Sequence, residues 1–280
     1  MTAYAHPETL ITTAELAAGL DTGSYAVIEV DEDTGAYDKG HIAGAISVNW
    51  STELREQTRR DFISRAELAQ LLGSKGVSND KPIVLYGGNN NWFATYAYWL
   101  FALRGVENVK VLDGGRKKWE LEGRPLTQDI PALAPTTFKA GAERPELRKQ
   151  RDAVLQLVSA KSGKFVDVRS PEEFRGERLT PPHLPNEGAQ IPGHIPGAAS
   201  VPWSRAANED GTFKSADELS ELYSAAGVVP NGPVVAYCRI GERASHTWFV
   251  LDRLLGFPGV SNYDGSWTEY GSLVDVPVER

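Results

Sequence analysis

Val234-Val235-Ala236-Tyr237-Cys238-Arg239-Ile240-Gly241-Glu242-Arg243-Ala244-Ser245-His246-Thr247-Trp248 changes character twice within one short stretch. Val234 to Tyr237 is short, apolar and rich in β-branched residues, the composition of a strand buried on both faces. From Arg243 the spacing turns helical and continues to Leu255. A strand that runs through a tight loop into a helix is the unit of a parallel sheet covered by helices, so the stretch predicts an α/β fold. The loop opens with the only cysteine in the chain. In parallel α/β domains, sites form at the carboxyl ends of the strands. Loop amides turned inward can cradle an anion, and the start of a helix adds partial positive charge. Arg239 and Arg243 add two guanidinium groups, and Gly241 allows the tight turn. This setting favours the thiolate and makes Cys238 the candidate nucleophile, ahead of the buried structural role that free cysteines often take.

Working outward, the chain repeats itself. Gly40-His41-Ile42-Ala43-Gly44-Ala45 recurs as Gly193-His194-Ile195-Pro196-Gly197-Ala198, 153 residues on. Val84-Leu85-Tyr86 recurs as Val235-Ala236-Tyr237, and Asp113-Gly114-Gly115 as Asp264-Gly265-Ser266, both at 151 residues. Val27 to Val30 recurs as Phe165 to Val168 at 138 residues, so the second repeat carries an insertion before Gly193. The Pro-rich stretch from Arg178 to Gln190 is the expected surface loop that supplies it. A period this long means two copies of one domain. The sequence therefore predicts an N-terminal domain over 1–125, a Pro- and Ala-rich linker over 126–147, and a C-terminal domain over 148–280 that carries the chemistry. Expected strands are Tyr25 to Val30, Ile83 to Tyr86 and Val109 to Leu112, then Lys164 to Val168, Val234 to Tyr237 and Val260 to Tyr263. Expected helices cover Ser64 to Leu72, with a capping box formed by Ser64 and Glu67, Trp92 to Leu103, Ser215 to Ala225, and Arg243 to Leu255.

The repeat is also an internal control. The position matching Cys238 is Gly87, in Tyr86-Gly87-Gly88-Asn89-Asn90-Asn91-Trp92, which has neither nucleophile nor arginine. The first repeat is expected to keep the scaffold without the chemistry. His41 and His194 belong to a motif present in both repeats, so a structural role outranks catalysis. Asp113 and Asp264 read as turn-formers on the same ground. His246 reads as a packed helix residue, Asp31-Glu32-Asp33 as a solvated loop lacking calcium-loop spacing, and Arg116-Lys117-Lys118 as an exposed helix face.

Composition limits the partners. The 280 residues carry 29 basic and 37 acidic side chains, a formal charge of −8, which argues against binding nucleic acid. A local cationic pocket in an acidic protein suits a small anion. A single cysteine excludes an intramolecular disulfide and a cysteine-based metal site. No leader-like segment or apolar run of membrane-spanning length is present, so a cytoplasmic protein is the default expectation.

The two Gly-His-Ile-x-Gly-Ala motifs, the stretch from Asp167 to Phe174, the Cys238-to-Arg243 loop and Asp264 to Trp267 together resemble a tandem-domain rhodanese over almost the whole chain. That resemblance implies two rhodanese-like domains, each a parallel sheet flanked by helices on both faces, with the catalytic cysteine in the second. It implies a thiosulfate sulfurtransferase that moves a sulfane sulfur to cyanide, a thiol or a dithiol protein through a persulfide on Cys238. Arg239, Ile240, Gly241, Glu242 and Arg243 would form the substrate cradle, with no cofactor and no metal. Relatives that use mercaptopyruvate usually have a small residue after the cysteine, whereas Arg239 suits a dianion. The chain departs from the family at Ile240, where well-studied thiosulfate enzymes have lysine. It departs again at Glu173, where many relatives have a substrate-binding arginine, for which nearby Arg175 is a candidate replacement. The rivals are a 3-mercaptopyruvate sulfurtransferase, a non-turnover sulfur carrier or regulatory binding module, and a cysteine phosphatase. Cys238 to Arg243 is spaced C-x4-R, one residue short of the phosphatase loop.

Overall fold

A computed structural model describes residues 3–181 and 189–280. Residues 182–188, most of the stretch expected to form the inserted loop, lie outside the described residues. The chain forms two five-stranded sheets in which every strand pairing is parallel. The first is built from β1 (Leu10–Ile11), β2 (Ala26–Glu29), β3 (Ile46–Ser47), β4 (Ile83–Tyr86) and β5 (Val109–Leu112), in the order β1-β5-β4-β2-β3. The second uses β6 (Arg148–Lys149), β7 (Lys164–Asp167), β8 (Ala199–Ser200), β9 (Val234–Tyr237) and β10 (Val260–Tyr263), in the matching order β6-β10-β9-β7-β8. Helices flank both, so the fold is the α/β tandem that the repeat predicts. The two-residue strands β1, β3, β6 and β8 escape sequence reading because alternation needs more residues than they have.

By compactness, one unit comprises Glu8–Pro145 with Ala207–Phe213, and the other the N-terminal residues through Pro7 with Glu146–Ala206 and Lys214–Arg280. Val27, Val84, Tyr86, Leu112 and Trp119 are among the residues that build the core of the first. Phe165, Val235, Tyr237, Tyr263 and Trp267 do so in the second. The segment 126–145 belongs to the first unit: Thr136 N donates to Gly73 O at 2.8 Å, Gly141 N to Gly105 O at 2.7 Å and Arg144 N to Leu103 O at 2.9 Å. Capping boxes start the helices Arg65–Ser74 and Ala216–Ala225, at Ser64 with Glu67 and Ser215 with Glu218. The helix expected from Arg243 to Leu255 begins at Glu242, is α-helical to Trp248 and widens to a π-helix over Phe249–Leu254. Apolar spacing over so short a run does not distinguish the two periods. No helix among the described residues is long and apolar enough to cross a membrane.

The repeated Gly-His-Ile motifs are clamps. His41 stacks on Tyr37 at 3.7 Å between ring centroids, and its Nδ1 lies 3.0 Å from Tyr37 O. His194 stacks on Phe174 at 3.6 Å, with Nδ1 2.9 Å from Phe174 O. Both rings are buried. One sequence expectation needs correction and one needs extending. The Arg116 side chain is only 13% exposed and donates from Nη2 to Glu29 Oε1 at 2.6 Å, because the buried carboxylate needs a counter-charge. Asp264 does more than form a turn: Arg148 grips it at 2.9 and 3.0 Å, tying the edge strand β6 to the end of β10. Asp113, its counterpart, accepts the Phe213 N–H at 2.9 Å.

Burial pushes the Asp113 carboxyl up to about 6 against the pull of the Phe213 amide, with Asp210 adding repulsion. The folded chain therefore holds this proton more tightly than the unfolded chain, and stability falls as pH rises from about 4 to 6. Asp113→Asn keeps an acceptor for Phe213 and removes the charge. Thermal melts should show the variant more stable than the parent at pH 7.5 and equal to it at pH 4. Equal melting at pH 7.5 would contradict the assignment.

Candidate active site

β9 ends at Tyr237, and the next residue, Cys238, is fully buried. Its backbone N–H leaves the sheet ladder and donates to Ser266 Oγ at 3.0 Å, while the Ser266 hydroxyl donates to Tyr263 O at 2.6 Å. One side chain thus bridges the ends of the neighbouring strands β9 and β10. The carbonyls of the loop are drawn to the same side: Trp267 N donates to Cys238 O and Thr268 N to Arg239 O, both at 3.0 Å. Gly241 O accepts Asn262 Nδ2 at 2.8 Å and Ser245 Oγ at 3.2 Å. The Gly241 amide points inward, where it donates to Cys238 Sγ at 3.1 Å. The turn requires glycine, since φ is 93° and a Cβ would come within 2.7 Å of Asp264 Cα. A sulfur with an amide proton aimed at it, at the foot of a helix beginning at Glu242, has the polarity that stabilises an anionic sulfur.

The structure brings all the candidate residues together, in a loop more closed than the sequence suggests. Arg239, Ile240, Glu242 and Arg243 are each at most 7% exposed. Arg243 donates from Nη1 to Glu173 Oε2 and from Nη2 to Glu173 Oε1, both at 3.0 Å. Glu173 is fully buried and also caps its own helix, Oε2 accepting Ser170 N at 3.0 Å. Burial raises the proton affinity of this carboxyl, but Arg243 outweighs burial and leaves the group below the usual carboxylate range. Arg175 does not enter the site: its side chain is 52% exposed and pairs with Glu177 at 2.6 Å. Asp167 and Arg169 form a second closed pair, fully buried, with Nη2 to Oδ2 at 2.6 Å. His246 is buried in the helix with its ring edge against Trp203, as its packed reading expects.

The first repeat solves the strand-end problem differently. Gly87 N donates to Asn91 Oδ1 at 3.1 Å, and Asn91 Nδ2 donates to Leu112 O at 2.6 Å. Gly87 and Leu112 are the counterparts of Cys238 and Tyr263, so an asparagine amide makes the bridge that a serine hydroxyl makes in the second repeat. Ser266 corresponds to Gly115, and a Cβ at Gly115 would lie 2.3 Å from Asn91 Oδ1. The two solutions exclude each other. A Cβ at Gly87 would lie 2.2 Å from Val30 O, so the first repeat has no room for a cysteine. Ser266 and Glu173 are the site residues that sequence reasoning misses as partners of the loop. Alignment of Ser266 with Gly115 was the available signal, since a side chain that replaces glycine at a left-handed position, here φ 52°, calls for a reason.

Two parallel α/β repeats, one with a cysteine in an amide-lined loop and one with that loop filled, define the class. The rhodanese-like domain profile matches residues 12–122 and 150–273, and the chain belongs to the rhodanese family. A protein of Saccharopolyspora erythraea named "Putative thiosulfate sulfurtransferase" is 56% identical over 273 residues, covering 98% of this chain and 96% of its own. The sulfur carrier protein TtuD of Thermus thermophilus is 49% identical over 280 residues, covering 99% and 98%. Among solved structures, EanB bearing a cysteine persulfide with ergothioneine superposes with a TM-score of 0.83 at 26% identity, covering all of this chain and 72% of that one.

Ser266→Ala leaves the buried Cys238 amide without its acceptor, a loss of about 1–3 kcal/mol that denaturant unfolding will measure. Gly87→Cys should destabilise the protein and create no second reactive thiol, so thiol titration of the folded variant should match the parent.

Proposed function

We propose that the chain is a thiosulfate sulfurtransferase in which Cys238 carries the sulfur. The observation that carries this reading is the Gly241 N–H aimed at Cys238 Sγ at 3.1 Å. The Cys238 thiolate attacks the outer sulfur of thiosulfate. A sulfur–sulfur bond to the enzyme forms as the one in thiosulfate breaks, and sulfite leaves with the bonding pair. The terminal persulfide sulfur is anionic, and the amides of 239–243 stabilise it as they do the thiolate. Cyanide or a thiol then attacks that outer sulfur and the Cys238 thiolate departs, closing a ping-pong cycle that consumes no oxidant or reductant. The partners are therefore a small anionic sulfur donor and a thiophilic acceptor such as cyanide, a thiol or a dithiol protein. The names of the close relatives support a sulfurtransferase.

A second reading is favoured by the full-length likeness to a sulfur carrier protein: Cys238 receives and surrenders sulfur only with protein partners. Steady-state thiocyanate formation from thiosulfate and cyanide separates the two. Turnover supports the enzyme, and a single stoichiometric loading without turnover supports the carrier. A preference for 3-mercaptopyruvate would retain the nucleophile and replace the donor. Cys238→Ser should reduce transfer to background with the melting temperature retained. Arg239→Gly should raise KM for thiosulfate roughly several-fold, the loss of one charge–charge contact with a dianion.

A further inference from the structure

Four charged side chains of the Cys238 loop and its surroundings are matched before any substrate arrives. Arg169 is closed on Asp167, and Arg243 is closed on Glu173 through both of its terminal nitrogens. Glu173 has no slack, because one of its oxygens also accepts the Ser170 amide and the residue is fully buried. Arg243 belongs electrostatically to the cysteine. Burial opposes its charge, but Glu173 and negative charge at Cys238 outweigh burial and raise its proton affinity. Glu173, bonded to the same guanidinium, acts on the sulfur with the opposite sign. Arg239 and Glu242, both buried in the loop, are common to every variant considered below.

We propose that Glu173 is a specificity-determining residue: by cancelling the charge of Arg243 beside Cys238, it lowers the preference of the site for dianionic over monoanionic sulfur donors. Coulomb energy scales with ligand charge, so a fixed negative group weakens a dianion about twice as much, in free energy, as a monoanion. The inference rests on the sulfurtransferase reading and assigns it a donor class. Thiosulfate is accepted, but singly charged donors such as thiosulfonates or alkyl persulfides are disfavoured less.

The test compares thiosulfate, a dianion, with benzenethiosulfonate, a monoanion, as donors to cyanide. Glu173→Gln preserves the shape and the Ser170 cap while removing the charge. It should raise the ratio of kcat/KM for thiosulfate to that for benzenethiosulfonate on the order of three- to tenfold, mainly through KM for thiosulfate. An unchanged or lowered ratio overturns the proposal. Because an unmatched buried guanidinium strains folding, Glu173→Gln combined with Arg243→Gln is measured as well. Its ratio should stay within about threefold of the parent, and a larger fall would mean that Arg243 was never cancelled. Alkylation provides an arm independent of turnover, since Cys238 is the only thiol. Glu173→Gln should speed reaction with iodoacetate relative to iodoacetamide, and an unchanged ratio counts against the proposal. A parent enzyme that forms no thiocyanate from either donor would defeat the sulfurtransferase reading, while the alkylation ratio would still decide the role of Glu173.

Discussion

Where the central strand of a parallel sheet runs out, its next N–H has lost its ladder partner inside a dry core, and so has the carbonyl ending the neighbouring strand. Each unmet group costs on the order of 1–3 kcal/mol. The architecture of the Cys238 loop follows from how this debt is met. Ser266 joins Cys238 N to Tyr263 O, which fixes the first residue of the loop. Asn262, Trp267 and Thr268 take up the carbonyls of Gly241, Cys238 and Arg239, and the Gly241 amide faces the sulfur. The first repeat meets the same need with Asn91, and at Gly87 the Val30 carbonyl leaves no room for a side chain.

Charge is handled by the same rule of internal matching. Asp167 with Arg169, Glu173 with Arg243, Asp264 with Arg148 and Glu29 with Arg116 are all largely withdrawn from solvent. Breaking such a pair leaves a buried charge, so the partners are fixed in place. Around the cysteine the Gly241 amide is already aimed at the sulfur, a source of polarity that needs no reorganisation. Matched guanidinium groups give the loop rigidity where the sequence alone suggests a cluster of cations open to an anion.

Much of the fold was legible because strands such as Ile83 to Tyr86 and Val234 to Tyr237 are continuous apolar runs, and because the repeat placed each a second time. The capping box at Ser64 was legible since capping depends on residues three apart. The two-residue edge strands and the π-helical turn were not, since neither has a local pattern of its own. The place of Cys238 was legible from its neighbours. The state of Arg243 was not, because its partner Glu173 lies 70 residues away, and no spacing rule connects them.

By itself the sequence determined the tandem α/β architecture, the loop that bears the lone cysteine, and the absence of a nucleophile in the matching loop. These are properties of local pattern and of a chain compared with itself. Only the tertiary structure decided which carboxylate answers which guanidinium, that Ser266 and Asn91 perform the same bridge, and that Arg116 faces inward to Glu29. Those outcomes depend on which strand ends meet in a low-dielectric interior, where most buried polar groups find partners and many of those lie across the fold.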